Sequence, residues 1–171
     1  MPNYLMLMLS LLATEALASE WRPSERLLKA VRVVESADGL RTYGDEGRSL
    51  GDFQISEGAW LDVNSRRRAR GEKTYDYSRK VLNRQLNRAY AADYLTLIHN
   101  ELERIYKRPP SASETYAGYN MGLRSFANCR YQLHRVNPVT AKKCQAIRAL
   151  MEEPPAQVRL AMVQRPLASS P

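Results

Sequence analysis

The sequence predicts a mainly α domain with a small β-hairpin, and three observations carry that prediction. Apolar residues recur at steps of three and four from Leu27 to Val34, and again over a much longer run from Leu82 to Ile105, as helices with one buried face require. Between the two runs, residues 38–52 hold four glycines, four acids and two arginines, a loop composition that accommodates a short hairpin around Gly44 and Gly47. The chain of 171 residues is 44% hydrophobic and 26% charged, which fits one globular domain and excludes collagen, a coiled coil or wholesale disorder. Its formal charge of +8 favours polyanionic partners such as nucleic acid, an anionic membrane or an acidic cell-wall polymer, without choosing among them.

Residues 1–18 read as a secretory signal. Tyr4 to Ala13 is almost wholly apolar, and Ala16-Leu17-Ala18 places small residues where a signal peptidase cuts. The run is shorter than the ~20 residues of a membrane-spanning helix, so export to the periplasm or the medium as a soluble protein is expected. The alternative is an uncleaved anchor, because Met1-Pro2-Asn3 lacks a basic residue and Glu15 lies just before the cut. An oxidising compartment would let Cys129 and Cys144 form one disulfide, the other reading being two buried free thiols. His99 and His134 stand far apart and no Cys-x-x-Cys is present, so neither a metal nor any other cofactor is expected.

In the remaining chain, residues 25–36 form the first helix, with Ser24 as N-cap and Asp38-Gly39 as stop. Glu35 falls on its apolar face, four residues after Val31. Glu57 to Asn64 can form a short helix carrying Trp60 and Leu61. The cluster Arg66, Arg67, Arg68 and Arg70 that follows reads as a solvated face or as a contact for anionic wall polymer. The long helix from Leu82 to Ile105 stops at Pro109-Pro110, and Ser111 with Glu114 makes a capping box for a helix towards Tyr119. Thr140 to Met151 supplies a last helix, and residues 153–171, with four prolines, read as a flexible tail.

Three motifs stand in order along this frame: Glu35-Ser36, then Gly51-Asp52-Phe53-Gln54-Ile55, then Gly118-Tyr119-Asn120-Met121-Gly122. Their order, with the long helix between the second and third, resembles the lysozyme-like superfamily and most closely the lytic transglycosylases. About 100 of the 171 residues follow the pattern. The resemblance implies a lysozyme-like helical domain over residues 19–152, with a cleft for peptidoglycan glycan strands. It implies Glu35 as catalytic acid, Ser36 orienting it, Gln54 supporting the cleft wall, and Tyr119 with Asn120 lining the sugar site. The chemistry suits these roles. A glycosidic oxygen leaves only when protonated, partial desolvation favours an acid that keeps its proton, and amides and phenols match sugar hydroxyl and acetamido groups.

The Gly-x-Phe-Gln-Ile segment followed by Trp60 and Asp62 is also similar to the invertebrate-type lysozymes, in which a loop acid joins the first carboxylate. Asp45 is the nearest match here, a candidate only, since it needs a one-residue gap and the dense cysteine framework of those enzymes is missing. Two readings from other classes compete. Gly47-Arg48-Ser49-Leu50-Gly51 satisfies the serine-hydrolase elbow, although no βαβ pattern surrounds it. A non-catalytic module binding wall or another polyanion would satisfy the charge, but has no use for an acid on an apolar face. Aromatic residues do not interleave with the basic run, so nucleic acid is not expected as a partner.

Overall fold

The computed structural model describes residues 20–152, so the proposed signal segment and the tail from 153 onward lie outside the described residues. Ser24 Oγ accepts the Leu27 N–H and starts α1 (Glu25–Ser36), with the boundaries expected from sequence. Its stop comes one residue earlier than expected: Ala37 takes the left-handed conformation, and its N–H and that of Asp38 return to Val33 and Arg32. The glycine-rich loop then forms β1 (Tyr43–Gly44) and β2 (Ser49–Leu50), joined by a 3₁₀ turn over Asp45–Gly47. A third strand, β3 (Ile55–Ser56), was not expected. It pairs antiparallel with β2 in the register Leu50 to Ile55, giving the order β1-β2-β3.

Ser56 ends β3 and caps α2 (Glu57–Ala69) through the Ala59 N–H. This helix runs five residues beyond the expected Asn64 and absorbs most of the arginine cluster, for a packing reason. Arg67 stacks over the Tyr90 ring at 4.4 Å and pairs with Asp93, while Arg70 pairs with Glu72. Of the four arginines read as a solvated face or a polymer contact, Arg67 is half-buried and engaged within the fold, while Arg66, Arg68 and Arg70 are exposed. A one-turn helix, α3 (Tyr77–Lys80), leads to Asn83, whose side chain caps α4 (Arg84–Tyr106). Leu82 precedes that cap and is exposed, so the apolar period belongs to Leu86, Tyr90, Tyr94, Ile98 and Leu102.

The expected capping box is present: Ser111 accepts the Glu114 N–H, Glu114 accepts the Ser111 N–H, and α5 (Ala112–Met121) begins there. The short α6 (Leu123–Asn128) follows, and α7 (Pro138–Glu152) closes the described chain. Among the described residues the architecture is thus mainly helical with one small antiparallel sheet. Helix α4 packs against α2 and α5, and α7 packs against α5 and α1. Gly118 allows the α4–α5 approach, since a Cβ there would lie 2.6 Å from Ile98 Cγ2. On the other side of α4, Trp60 stacks on Tyr90 at 3.6 Å and both are fully buried.

Cys129 and Cys144 are free, contrary to the expected bridge. Cys144 lies on the face of α7 that meets α5, with its sulfur 3.6 Å from the Ser113 carbonyl, whereas Cys129 is the cap residue that ends α6. Burial pushes the Cys144 thiol up to about 11, which keeps it protonated and inert near neutral pH.

Candidate active site

Glu35 occupies the last turn of α1, and its side chain is only 6% exposed. Two other helices bring donors to it. From α5, the Tyr116 hydroxyl donates to Oε1 at 2.5 Å and Asn120 Nδ2 donates to the same oxygen at 3.2 Å. From α7, Lys143 Nζ donates to Oε2 at 2.9 Å. Tyr116 and Asn120 are four residues apart, so one face of α5 presents both to the carboxylate. Asn120 is oriented from behind: its Oδ1 accepts from the Thr140 hydroxyl, which itself accepts from Asn137 Nδ2, leaving the amide N–H₂ for Glu35.

Burial, and after it the charge of Glu35, raises the Tyr116 phenol far above its ordinary range, and the Tyr119 phenol moves in the same direction for the same reasons. Tyr116 is therefore a permanent donor to Glu35. A carboxylate this deep in the fold would be costly without such partners; with them, each charge-assisted hydrogen bond offsets about 1.5–3 kcal/mol.

Beside Glu35 lies a cavity of about 250 Å³ walled by the sheet, by α5 and by α7. Gln54, Ser49, Tyr119, Asn120 and Lys143 all line it. Gln54 has φ +48, and its Nε2 donates to the carbonyls of Gly51 and Arg41, which places it in the cavity wall. Gly44 makes that placement possible, because any Cβ there would collide with Gln54 Oε1. Tyr119 lines the cavity with its ring, but its hydroxyl is spent on the Phe53 carbonyl at 2.6 Å. Behind the sheet, the buried Asn87 of α4 accepts from Phe53 N and donates to the Leu50 carbonyl, holding this wall to the helix core.

Ser36 does not serve as expected. It is fully buried, its hydroxyl donates to the Asp52 carbonyl at 2.6 Å, and it accepts the Gly39 N–H. It staples α1 to the loop that follows β2, because position 36 lies about 100° around the helix from Glu35, and it is not among the residues lining the cavity. Asp45 has its backbone in the turn between β1 and β2, and its side chain lies outside what the structure describes. Glu35 is the only carboxylate among the described lining residues. Ser49 sits on an antiparallel strand and no histidine lines the cavity among the described residues, so the serine-hydrolase pattern lacks both the elbow and the base.

Two members of the site were not singled out from sequence. Tyr116 had a signal, four residues before Asn120 on one helix. Lys143 had a fainter one, three residues after Thr140 and four before Ile147, on the face that the buried Cys144 also marks. Comparison with known proteins adds no family: no family model matches the chain, and no curated protein or solved structure matches it.

Proposed function

We propose that this chain cleaves peptidoglycan glycan strands at the β-1,4 bond between muramoyl and glucosaminyl sugars, as a lysozyme-like enzyme of the lytic transglycosylase kind. The observation that carries the reading is Glu35: a side chain 6% exposed, held by three donors, beside a cavity in which no other described residue is acidic. A binding module gains nothing from burying such a group, whereas an acid catalyst needs one that is fixed in place and shielded from water.

In the proposed reaction, Glu35 gives a proton to the leaving glycosidic oxygen as the bond to the anomeric carbon breaks. The resulting carboxylate then takes the proton of the 6-hydroxyl of the same muramoyl sugar while that oxygen attacks the anomeric carbon, closing a 1,6-anhydro ring. One carboxylate performs both halves, and neither water nor a second acid is consumed. Tyr116 and Asn120 stabilise the charged form of Glu35 between the two proton transfers, and Gln54 and the Tyr119 ring shape the wall against which the sugar rests. Export, as the first 18 residues suggest, would place the enzyme where this polymer lies.

Mass spectrometry of the fragments released from purified peptidoglycan tests the proposal. Anhydromuramoyl ends are expected. Reducing muramic ends would instead mean hydrolysis by a lysozyme, and binding to the wall without release of fragments would leave only a wall-binding module.

A further inference from the structure

Glu35 and Lys143 are the only charged side chains among the described residues lining the cavity, and they are paired with each other. The two oxygens of Glu35 are held differently. Oε1 belongs to Tyr116, which is fully buried, and to Asn120, which is locked by Thr140. Oε2 holds Lys143, whose side chain is 31% exposed on a flexible four-carbon stem. A glycosidic oxygen must therefore meet Glu35 at Oε2, where the ammonium already sits. Lysine carries three donors and no acceptor, so on Oε2 it occupies the oxygen that would carry the proton and cannot accept that proton's hydrogen bond. Proton delivery from Oε2 requires Lys143 to leave that oxygen, and within the cavity only a substrate anion could replace the carboxylate as its partner. A neutral sugar supplies none, and it would leave the displaced ammonium unpaired in a partly buried site.

From this we infer that Lys143 selects the substrate: the cavity takes a glycan with a free carboxylate on the sugar whose bond is broken, and that carboxylate draws Lys143 away from Glu35. The inference rests on the glycan-cleaving reading above. In peptidoglycan the group in question is the lactyl ether of the muramoyl unit, which is anionic only when no peptide is joined to it. The preferred substrate is then a peptide-free strand, and a reaction that hydrolyses the lactyl amide must come first.

The test compares two substrates on the full chain: peptide-free glycan strands, and the same strands with the lactyl carboxyl converted to a primary amide. The wild-type enzyme should cleave the free acid about tenfold faster in kcat/KM, with the preference shrinking as salt rises. Lys143→Met should bring the ratio of the two rates close to one, whatever its effect on the absolute rates, and Lys143→Arg should restore the preference. Equal wild-type rates on both substrates, or an unchanged ratio in a folded Lys143→Met, would overturn the inference while leaving the cleavage reading intact. Loss of both activities in folded Lys143→Met, with rescue by Lys143→Arg, would also overturn it and make the lysine a positioning residue. Failure of the wild type to cleave either strand would remove the cleavage reading and this inference with it.

Discussion

Glu35 and Asp52 are both carboxylates with side chains 6% exposed, and they lie on two sides of the same helix end, yet they are held in opposite ways. Asp52 faces arginines: Arg32 Nε donates to Oδ2 at 3.0 Å, Arg84 lies 3.7 Å from Oδ1, and its backbone carbonyl takes the Ser36 hydroxyl. Arginine stays charged at any working pH, so Asp52 sits between two fixed cations and lines no part of the cavity beside Glu35. Glu35 faces a phenol, an amide and one half-buried ammonium beside a cavity. Burial of an acid is thus the common feature, and the identity of its partners separates the structural carboxylate from the one that can act. Ser36 belongs to the structural side of this division, which is why it does not touch its neighbour Glu35.

The sharpest way to break the comparison is to neutralise each acid in turn. Glu35→Gln keeps the shape and one oxygen to accept from Tyr116 and Asn120 but cannot deliver a proton, and should lower kcat about a thousandfold with an unchanged circular dichroism spectrum. Wild-type turnover in a folded Glu35→Gln protein would end the catalytic assignment. Asp52→Asn should have the opposite profile. It strips Arg32 of its inner partner and loosens the loop that carries Gln54, costing about 2 kcal/mol in denaturant unfolding, with the partial exposure of Arg32 limiting the loss. At temperatures where the variant remains folded, its kcat should stay within about twofold of wild type. A kcat loss as deep as that of Glu35→Gln would show the two acids to be one unit.

A smaller effect is expected from the group that most distinguishes the two surroundings. Tyr116→Phe removes the hydroxyl that donates to Glu35 Oε1 and leaves the ring in place, so kcat should fall about tenfold. Substrate KM should hardly move, since Tyr116 is buried behind Glu35 and is not a lining residue of the cavity. A changed KM with an unchanged kcat would mean that the phenol shapes the cavity without supporting the acid.

Much of the division was legible in the sequence. The helix from Glu25 to Ser36 and the burial of Glu35 followed from apolar steps and a capping serine, and the Ser111–Glu114 box was readable because its reciprocal bonds are local. What could not be read depends on long-range meetings. Lys143 approaches Glu35 across 108 positions, and Arg67 is taken out of the basic cluster by Asp93 across 26. Local charge patterning makes both look like solvated cations. Ser36 misled for the same reason: adjacency to Glu35 in sequence suggested contact, but one residue is about 100° around a helix, enough to turn its hydroxyl onto the Asp52 carbonyl.

The smallest expected effect decides the second half of the reaction. A hydrolytic enzyme typically needs a second carboxylate as nucleophile or base, placed about 5–10 Å from the first. Asp52 is tied to arginines, and Glu35 is the sole acid among the described lining residues, so Asp45, in the turn between β1 and β2, is the remaining candidate. If Glu35 alone protonates the leaving oxygen and then deprotonates the 6-hydroxyl, Asp45→Asn should keep kcat within about twofold, since neither proton transfer then uses a second carboxylate. The released fragments should still end in anhydromuramoyl sugars. A hundredfold loss in Asp45→Asn together with reducing ends in the wild-type digest would make Asp45 the partner of Glu35 and turn the reaction into hydrolysis. Product mass and mutant rate must change together for that outcome, because a loop substitution that merely distorts the sheet wall would slow the enzyme without altering the chemistry of the ends it leaves.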